Sequence, residues 1–140
     1  MARQALVGYF DQCTGCEMCM LACSMEKYGV YSPKKAHIRI SRDLRKVVFT
    51  PMACIQCDKP PNHDAPCMRS CPVGAITRDS RTNAVVIIPE KCTGCRLCIE
   101  ACPINMVQFD EEAKKAFKCD LCFGEPKCVQ YCQFNAIEYK

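Results

Sequence analysis

The chain has 140 residues, of which 16 are cysteine and 29 are Leu, Ile, Val or Phe, and its formal charge is +4. Cysteine at about 11% marks a cross-linked or metal-loaded chain, and so few bulky apolar residues leave an ordinary core too thin to offset the entropy of ordering the backbone. The length excludes a large catalytic scaffold, and no apolar run reaches the roughly 20 residues of a membrane span.

Taken in chain order, Ala5 to Phe10 reads as a strand leading into a first cysteine group, Cys13, Cys16, Cys19 and Cys23. A hairpin follows, His37 to Ile40 against Val47 to Phe49 around Ser41-Arg42-Asp43. The second group, Cys54, Cys57, Cys67 and Cys71, encloses a proline-rich loop, Asp58 to Pro66, suited to cover a metal site or touch a partner. Ala75 to Thr77 and Ala84 to Ile88 form a second hairpin, turning at Asp79 to Asn83. The third group is Cys92, Cys95, Cys98 and Cys102; a third hairpin, Met106 to Phe109 with Ala116-Phe117, turns at Asp110 to Lys115. The fourth group, Cys119, Cys122, Cys128 and Cys132, precedes a last strand, Ala136 to Tyr139. Single-turn helices are expected after the fourth cysteine of each group. The fold class is α+β, two small modules of short antiparallel hairpins and single-turn helices with metal centres as core.

The start Met1-Ala2-Arg3-Gln4 has neither an apolar leader nor a twin-arginine motif, so the expected setting is cytoplasmic. There thiols stay reduced and bind metal rather than pair as disulfides. Groups one and three have intervals of two, two and three residues between cysteines, the spacing of bacterial ferredoxins: three thiolates wrap one cubane while the fourth reaches a neighbouring one. Gly15 and Gly94 suit loops that bring backbone N–H groups close to sulfur. An isolated pair of cysteines two residues apart would read as a zinc knuckle, but zinc sites join two separated pairs, whereas groups one and three pack three cysteines into seven residues. Sixteen thiolates therefore point to four 4Fe-4S clusters. A cubane with a 2+ core and four thiolates carries about −2, so four would turn the +4 polypeptide into an acidic holoprotein of about −4.

Residues 13–23 and 92–102 share seven identities in eleven positions, and groups two and four also correspond, so the chain is an internal duplication of a two-motif unit. Two pairings of the groups fit the hairpins: contiguous, one with two and three with four, or nested, two with three and one with four.

With these motifs the chain resembles the four-cluster ferredoxin subunits of molybdenum and tungsten oxidoreductases, among them the iron-sulfur subunits of dimethyl sulfoxide reductase and formate dehydrogenase and the small subunits of tungsten aldehyde oxidoreductases. The resemblance favours nesting. It implies one cluster on Cys13, Cys16, Cys19 and Cys132, a second on Cys119, Cys122, Cys128 and Cys23, a third on Cys54, Cys57, Cys67 and Cys102, and a fourth on Cys92, Cys95, Cys98 and Cys71. An inner module over about residues 47–109 and an outer one from 1–46 plus 110–140 follow from it. The implied role is non-catalytic, relaying electrons between a large molybdenum or tungsten catalytic subunit and a second redox partner such as a flavin subunit, a hydrogenase or a ferredoxin. A free-standing polyferredoxin is the alternative, and a zinc-loaded structural or nucleic-acid module a distant one. Groups one and four depart from the family in having Ser24 and Gln133 where the others have proline after the fourth cysteine.

Outside the cysteines no catalytic constellation and no nucleotide-binding glycine motif is found. His37 and His63 read as packing or surface residues. Met18, Met20, Met25, Met52, Met68 and Met106 read as flexible filling around cluster surfaces. Lys91, Arg96, Lys118 and Lys127, next to ligands, either are solvated or raise nearby reduction potentials. The basic stretch Lys34, Lys35, Arg39, Arg42, Arg45 and Lys46 is a soluble edge or a docking face for an acidic partner; without aromatic interleaving it does not suggest nucleic acid.

Overall fold

A computed structural model describes residues 5–57 and 64–140. His63 and most of the proline-rich loop lie outside the described residues. Among the described residues eight strands and four α-helices follow one another as β1 (Leu6–Gly8), α1 (Met18–Tyr28), β2 (Arg39–Asp43), β3 (Val48–Met52), α2 (Pro66–Ser70), β4 (Ile76–Arg78), β5 (Val85–Ile87), α3 (Leu97–Ala101), β6 (Gln108–Asp110), β7 (Lys115–Phe117), α4 (Lys127–Tyr131) and β8 (Ile137–Tyr139). The strands pair only as two-stranded antiparallel ribbons: β2 with β3, β4 with β5, β6 with β7, and β1 with β8. First strand beside last is the adjacency that nesting carries with it. Two-stranded ribbons are marginal by themselves, so each must be held by what packs beneath it.

The three hairpin turns share one design. Asp43, Asp79 and Asp110 open them, each carboxylate accepting backbone N–H bonds two and three residues on: Arg45 and Lys46 at 3.1 and 3.3 Å, Arg81 and Thr82 at 3.3 and 2.8 Å, Glu112 and Ala113 at 3.0 and 3.2 Å. Each closes on a left-handed residue four positions after the aspartate, namely Val47 (φ 54°), Asn83 (φ 59°) and Lys114 (φ 56°). The first hairpin therefore turns two residues later than its sequence suggests: Ser41, Arg42 and Asp43 are strand residues, paired with Thr50, Phe49 and Val48. The aspartate stands where the turn begins, not in its middle.

The helices also correct the expectation. Among the described residues α2, α3 and α4 run from beside the third cysteine to the fourth, not after it: Cys71, Cys102 and Cys132 are the residues at which they stop. Beyond each, the third following residue is left-handed (Gly74, Asn105, Asn135), and the fourth donates its N–H back to the cysteine sulfur, from Ala75 at 3.2 Å, Met106 at 3.3 Å and Ala136 at 3.4 Å. Gln133 thus reproduces the turn without proline. Ser24 does not: α1 continues for eleven residues through Cys19 and Cys23 to Tyr28 and ends at left-handed Gly29. Ser24 is fully buried, its Oγ donating to Leu21 O at 3.1 Å and accepting from Ser32 N at 3.1 Å.

The core falls into two parts. One gathers Leu6, Met20, Ile38, Leu121 and Ile137 with buried Cys19, Cys23, Cys54, Cys119 and Cys128. The other gathers Ala65, Ile76, Val85, Val107 and Ala116 with Cys67 and Cys98, and Cys102 packs against both. Among the described residues no helix is long and apolar enough to cross a membrane.

Val47 is a β-branched residue in the left-handed region, 72% exposed, which costs about 1–2 kcal/mol. Val47→Asn is expected to raise the thermal unfolding midpoint of the loaded protein, whereas Asn83→Val is expected to lower it; circular dichroism melts of both variants check the pair.

Candidate metal centres

The same short loops aim all sixteen cysteines at four cavities. Cys13, Cys16, Cys19 and Cys132 line one of about 300 Å³, closed by Ile40, Pro51 and Ile137. Cys23, Cys119, Cys122 and Cys128 line a second of about 280 Å³. Cys54, Cys57, Cys67 and Cys102 line a third of about 310 Å³, with Val85, Ile104 and Val107. Cys71, Cys92, Cys95 and Cys98 line a fourth of about 330 Å³, with Ile76 and Ile87. The cavities are equal in size to within a fifth and built alike. Among the described residues no group of three or more His, Cys, Asp or Glu side chains is placed to hold a single ion.

Close approach of backbone makes the loops. Gly15 is left-handed (φ 73°), and a Cβ there would stand 2.6 Å from the Phe49 ring; Gly94 (φ 78°) would meet Lys114 O at 2.5 Å. The first and third hairpins thus press on equivalent glycines. The residues after the second cysteine, Glu17 (φ 64°) and Arg96 (φ 66°), are left-handed too, as is Gln56 (φ 51°), while group four has three in a row, Leu121, Cys122 and Phe123. That run is held by Asp120, whose carboxylate accepts Cys122 N at 2.9 Å, and by Arg81, which donates to Phe123 O at 2.9 Å. Two more sulfurs receive backbone N–H bonds: Cys23 from His37 at 3.2 Å and Cys54 from Gln56 at 3.4 Å. Cys23, lacking the local turn, borrows its donor from a segment 14 residues away. Soft, dry cavities with four thiols and N–H donors at sulfur fit a 4Fe-4S cubane, whose thiolates such donors stabilise.

Neighbouring cavities are coupled electrostatically through specific pairs of sulfurs. Cys19 and Cys128 lie close enough for charge on one to raise the other, as do Cys54 and Cys119, and Cys67 and Cys98. The cavities therefore follow in the order Cys13, Cys119, Cys54, Cys92, each named by its first three-cysteine loop. Cys16 and Cys95, in the two end cavities, are exposed.

Burial is the main cause of the thiols' protonation behaviour. It pushes Cys19 and Cys119 up to about 12, Cys67 and Cys98 up to about 11, and Cys23 and Cys128 upward as well. Burial alone would lower Lys27, but the Asp120 carboxylate bonded to it at the edge of the second cavity holds it above its ordinary range. His37 is buried, which lowers it to about 4 and keeps it neutral; its Nε2 is 2.9 Å from the Tyr28 hydroxyl, and its ring stacks at 4.9 Å on Phe117. It is a packing residue, as its place in a strand-like segment suggests.

Of the basic residues beside ligands, Lys118 alone is buried, at 3% exposure. Arg96 lies 3.9 Å over the Phe109 ring and pairs with Glu111 at 3.2 Å. The basic hairpin is partly occupied internally: Arg39 donates to Pro33 O and Lys34 O at 2.9 and 3.1 Å, Arg42 pairs with Glu17, and Lys35 pairs with Glu112 at 3.3 Å. Met20 and Met106 are buried as filling residues, while Met18 and Met25 are 41% exposed. Sequence reasoning missed Gln56, which has no exposed surface and joins β5 to the fourth cysteine loop. Its only signal was a polar residue inside a cysteine pair.

Comparison with known proteins places these features. The 4Fe-4S dicluster domain profile matches residues 45–140, and a second profile of the same description matches residues 12–76. The chain is 38% identical over 122 residues to the polyferredoxin-like subunit of an aliphatic sulfonate oxidoreductase of Pyrococcus furiosus, covering 87% of this chain and 67% of the relative. It is 29% identical over 151 residues to one of the polypeptides of the anaerobic dimethyl sulfoxide reductase of Haemophilus influenzae, covering 94% of this chain and 71% of that relative. Among solved structures, a polypeptide of the active-site complex BamBC of benzoyl coenzyme A reductase superposes with a TM-score of 0.56 at 21% identity, covering 98% of this chain and 77% of that one, a likeness of fold.

In the iron-free chain Cys19, Cys67, Cys98 and Cys119 keep their protons at pH values where unfolded thiols, with ordinary pKa near 9, lose them. The unfolded state then binds fewer protons, so stability falls as pH rises from about 9 towards 12. Anaerobic urea unfolding at pH 8 and pH 10 is expected to show a lower midpoint at pH 10 for the iron-free chain and a smaller change for the loaded protein. Equal slopes in the two forms would contradict this account.

Proposed function

The chain belongs to the 4Fe-4S dicluster domain family, and from that membership we propose that it is a non-catalytic electron-transfer subunit carrying four clusters between a catalytic oxidoreductase subunit and a second redox partner. Membership in that family also turns the choice away from the zinc-loaded module. When bound, each cluster supplies one-electron transfer at a reduction potential set by its surroundings. The observation that carries the reading is the set of four similar cavities, each lined by four cysteines, with adjacent cavities linked through pairs of sulfurs.

The ligand sets in this proposal are the nested ones. Cys13, Cys16 and Cys19 share a cluster with Cys132; Cys119, Cys122 and Cys128 with Cys23; Cys54, Cys57 and Cys67 with Cys102; and Cys92, Cys95 and Cys98 with Cys71. The cavity linings and the β1–β8 pairing support this grouping. The second core, drawn from residues 65–116, supports treating 47–109 as an inner module within an outer one. In this scheme the protein's own contribution is to fix the thiolates, to donate N–H bonds to Cys23, Cys54, Cys71, Cys102 and Cys132, and to keep water out with apolar walls. The exposed Cys16 and Cys95 mark the two ends at which partners approach.

The relatives named as oxidoreductase subunits support a large catalytic partner. Its metal we take to be molybdenum or tungsten, and its location cytoplasmic, where reduced thiols are available as ligands. Three measurements test the reading. Anaerobically purified protein is expected to contain about sixteen iron and sixteen acid-labile sulfide per chain, from four cubanes; stoichiometric zinc in a colourless protein would end it. Native purification is expected to retain a larger subunit containing molybdenum or tungsten, and a chain that always runs alone would favour a free-standing polyferredoxin. Cys132→Ser is expected to disturb the same electron paramagnetic resonance signal as Cys13→Ser; a defect matching Cys92→Ser would instead require the contiguous grouping.

A further inference from the structure

Lys118 lies where the second and third cavities meet. Its side chain lines the third, and its charge acts on both Cys67 of the third and Cys119 of the second. The ammonium donates to Val85 O, to Cys119 O at 2.9 Å and to Gln56 Oε1 at 3.3 Å. Those are three oxygen acceptors for three N–H donors, the complement of a charged ammonium; a neutral amine has only two donors and would turn its lone pair towards an oxygen. All three partners are uncharged, unlike those of Lys27 beside the second cavity, whose charge Asp120 balances. Gln56 fixes the arrangement: its Oε1 also accepts Val85 N at 2.8 Å and its Nε2 donates to Cys119 O at 2.9 Å. A single buried cation with neutral partners is costly unless anionic charge lies nearby, and two thiolate-ligated clusters of about −2 each would supply that charge.

We infer that Lys118, held by Gln56, is a potential-setting residue: its fixed positive charge raises the reduction potentials of the two inner clusters and so eases electron passage across the middle of the line. This rests on the four-cluster reading above. Lys118 would make or break no bond and move no proton; its cation would favour the more negative, reduced state of a cluster held on either side of it.

The test is an anaerobic redox titration of the iron-loaded full chain, reduced with dithionite and followed by electron paramagnetic resonance. Lys118→Met is expected to make reduction of two of the four centres at least tenfold less favourable, about 59 mV for a one-electron couple, with the other two unchanged. Gln56→Glu leaves the lysine in place but sets a carboxylate against it, and is expected to shift the same two midpoints downward. Lys118→Arg, which keeps the charge, is expected to stay closer to the wild type than Lys118→Met. Iron content read alongside separates the two claims: fewer than four clusters in the wild type would refute the four-cluster reading. Four clusters with unshifted midpoints in Lys118→Met or Gln56→Glu would refute the role of Lys118 alone. Loss of clusters from both variants would assign the pair to cluster retention and equally overturn it.

Discussion

A cysteine thiolate removed from water loses the hydration of a full negative charge, and this chain buries seven of its sixteen cysteines. Left to themselves Cys19, Cys23, Cys67, Cys98, Cys119 and Cys128 stay protonated, since burial raises their pKa into the alkaline range. A metal cluster reverses the balance, displacing the protons and spreading the charge over iron and inorganic sulfur. The rest of the architecture follows from keeping such charge comfortable in a dry interior. Loops run backbone N–H groups towards sulfur, ribbons close over the loops, and the few apolar residues line the walls between centres. Four two-stranded ribbons that could not stand alone are thereby stapled to one another.

The duplication is visible in geometry as much as in sequence. Three hairpins turn on an aspartate and a left-handed residue, and three cysteines end a helix and take back an N–H from four residues on. Cys23 is the exception, because α1 runs straight through it and the polypeptide must travel to His37 before a donor reaches its sulfur. Residues 29–36 return the chain to that point, with Ser24, Ser32 and the Arg39 guanidinium fastening the path. One quarter of the duplicated pattern has thus traded a local turn for a longer helix that spans the first two cavities.

Much of this is legible in the cysteine spacing, since three thiolates within seven residues admit few metal geometries, and the paired hairpins follow from alternation and turn residues. Helix placement is not. A five-residue helix such as Leu97–Ala101 has too few positions to show a period, and although Pro103 marks where it stops, nothing marks where it starts. The first turn falls later than expected because nothing in the sequence marks Val47 as left-handed. In sequence Lys118 is one of several basic neighbours of ligands, since the feature that singles it out, three acceptors from residues 56, 85 and 119, exists only in the folded chain.

The pairing of β1 with β8 brings Ala5 and Lys140 together, each N–H bonded to the other's carbonyl at 2.7 and 3.0 Å. Residues 5 and 140 are therefore neighbours in space. Joining those residues and opening the exposed turn between Asp43 and Val48 would leave every cavity lined as before, but the cysteine groups would then read two, three, four, one. In that order the groups that share cavities are neighbours in sequence, two with three and four with one. A nested arrangement and a simple tandem of two-cluster units are in this sense the same object, differing only in where the circle is cut.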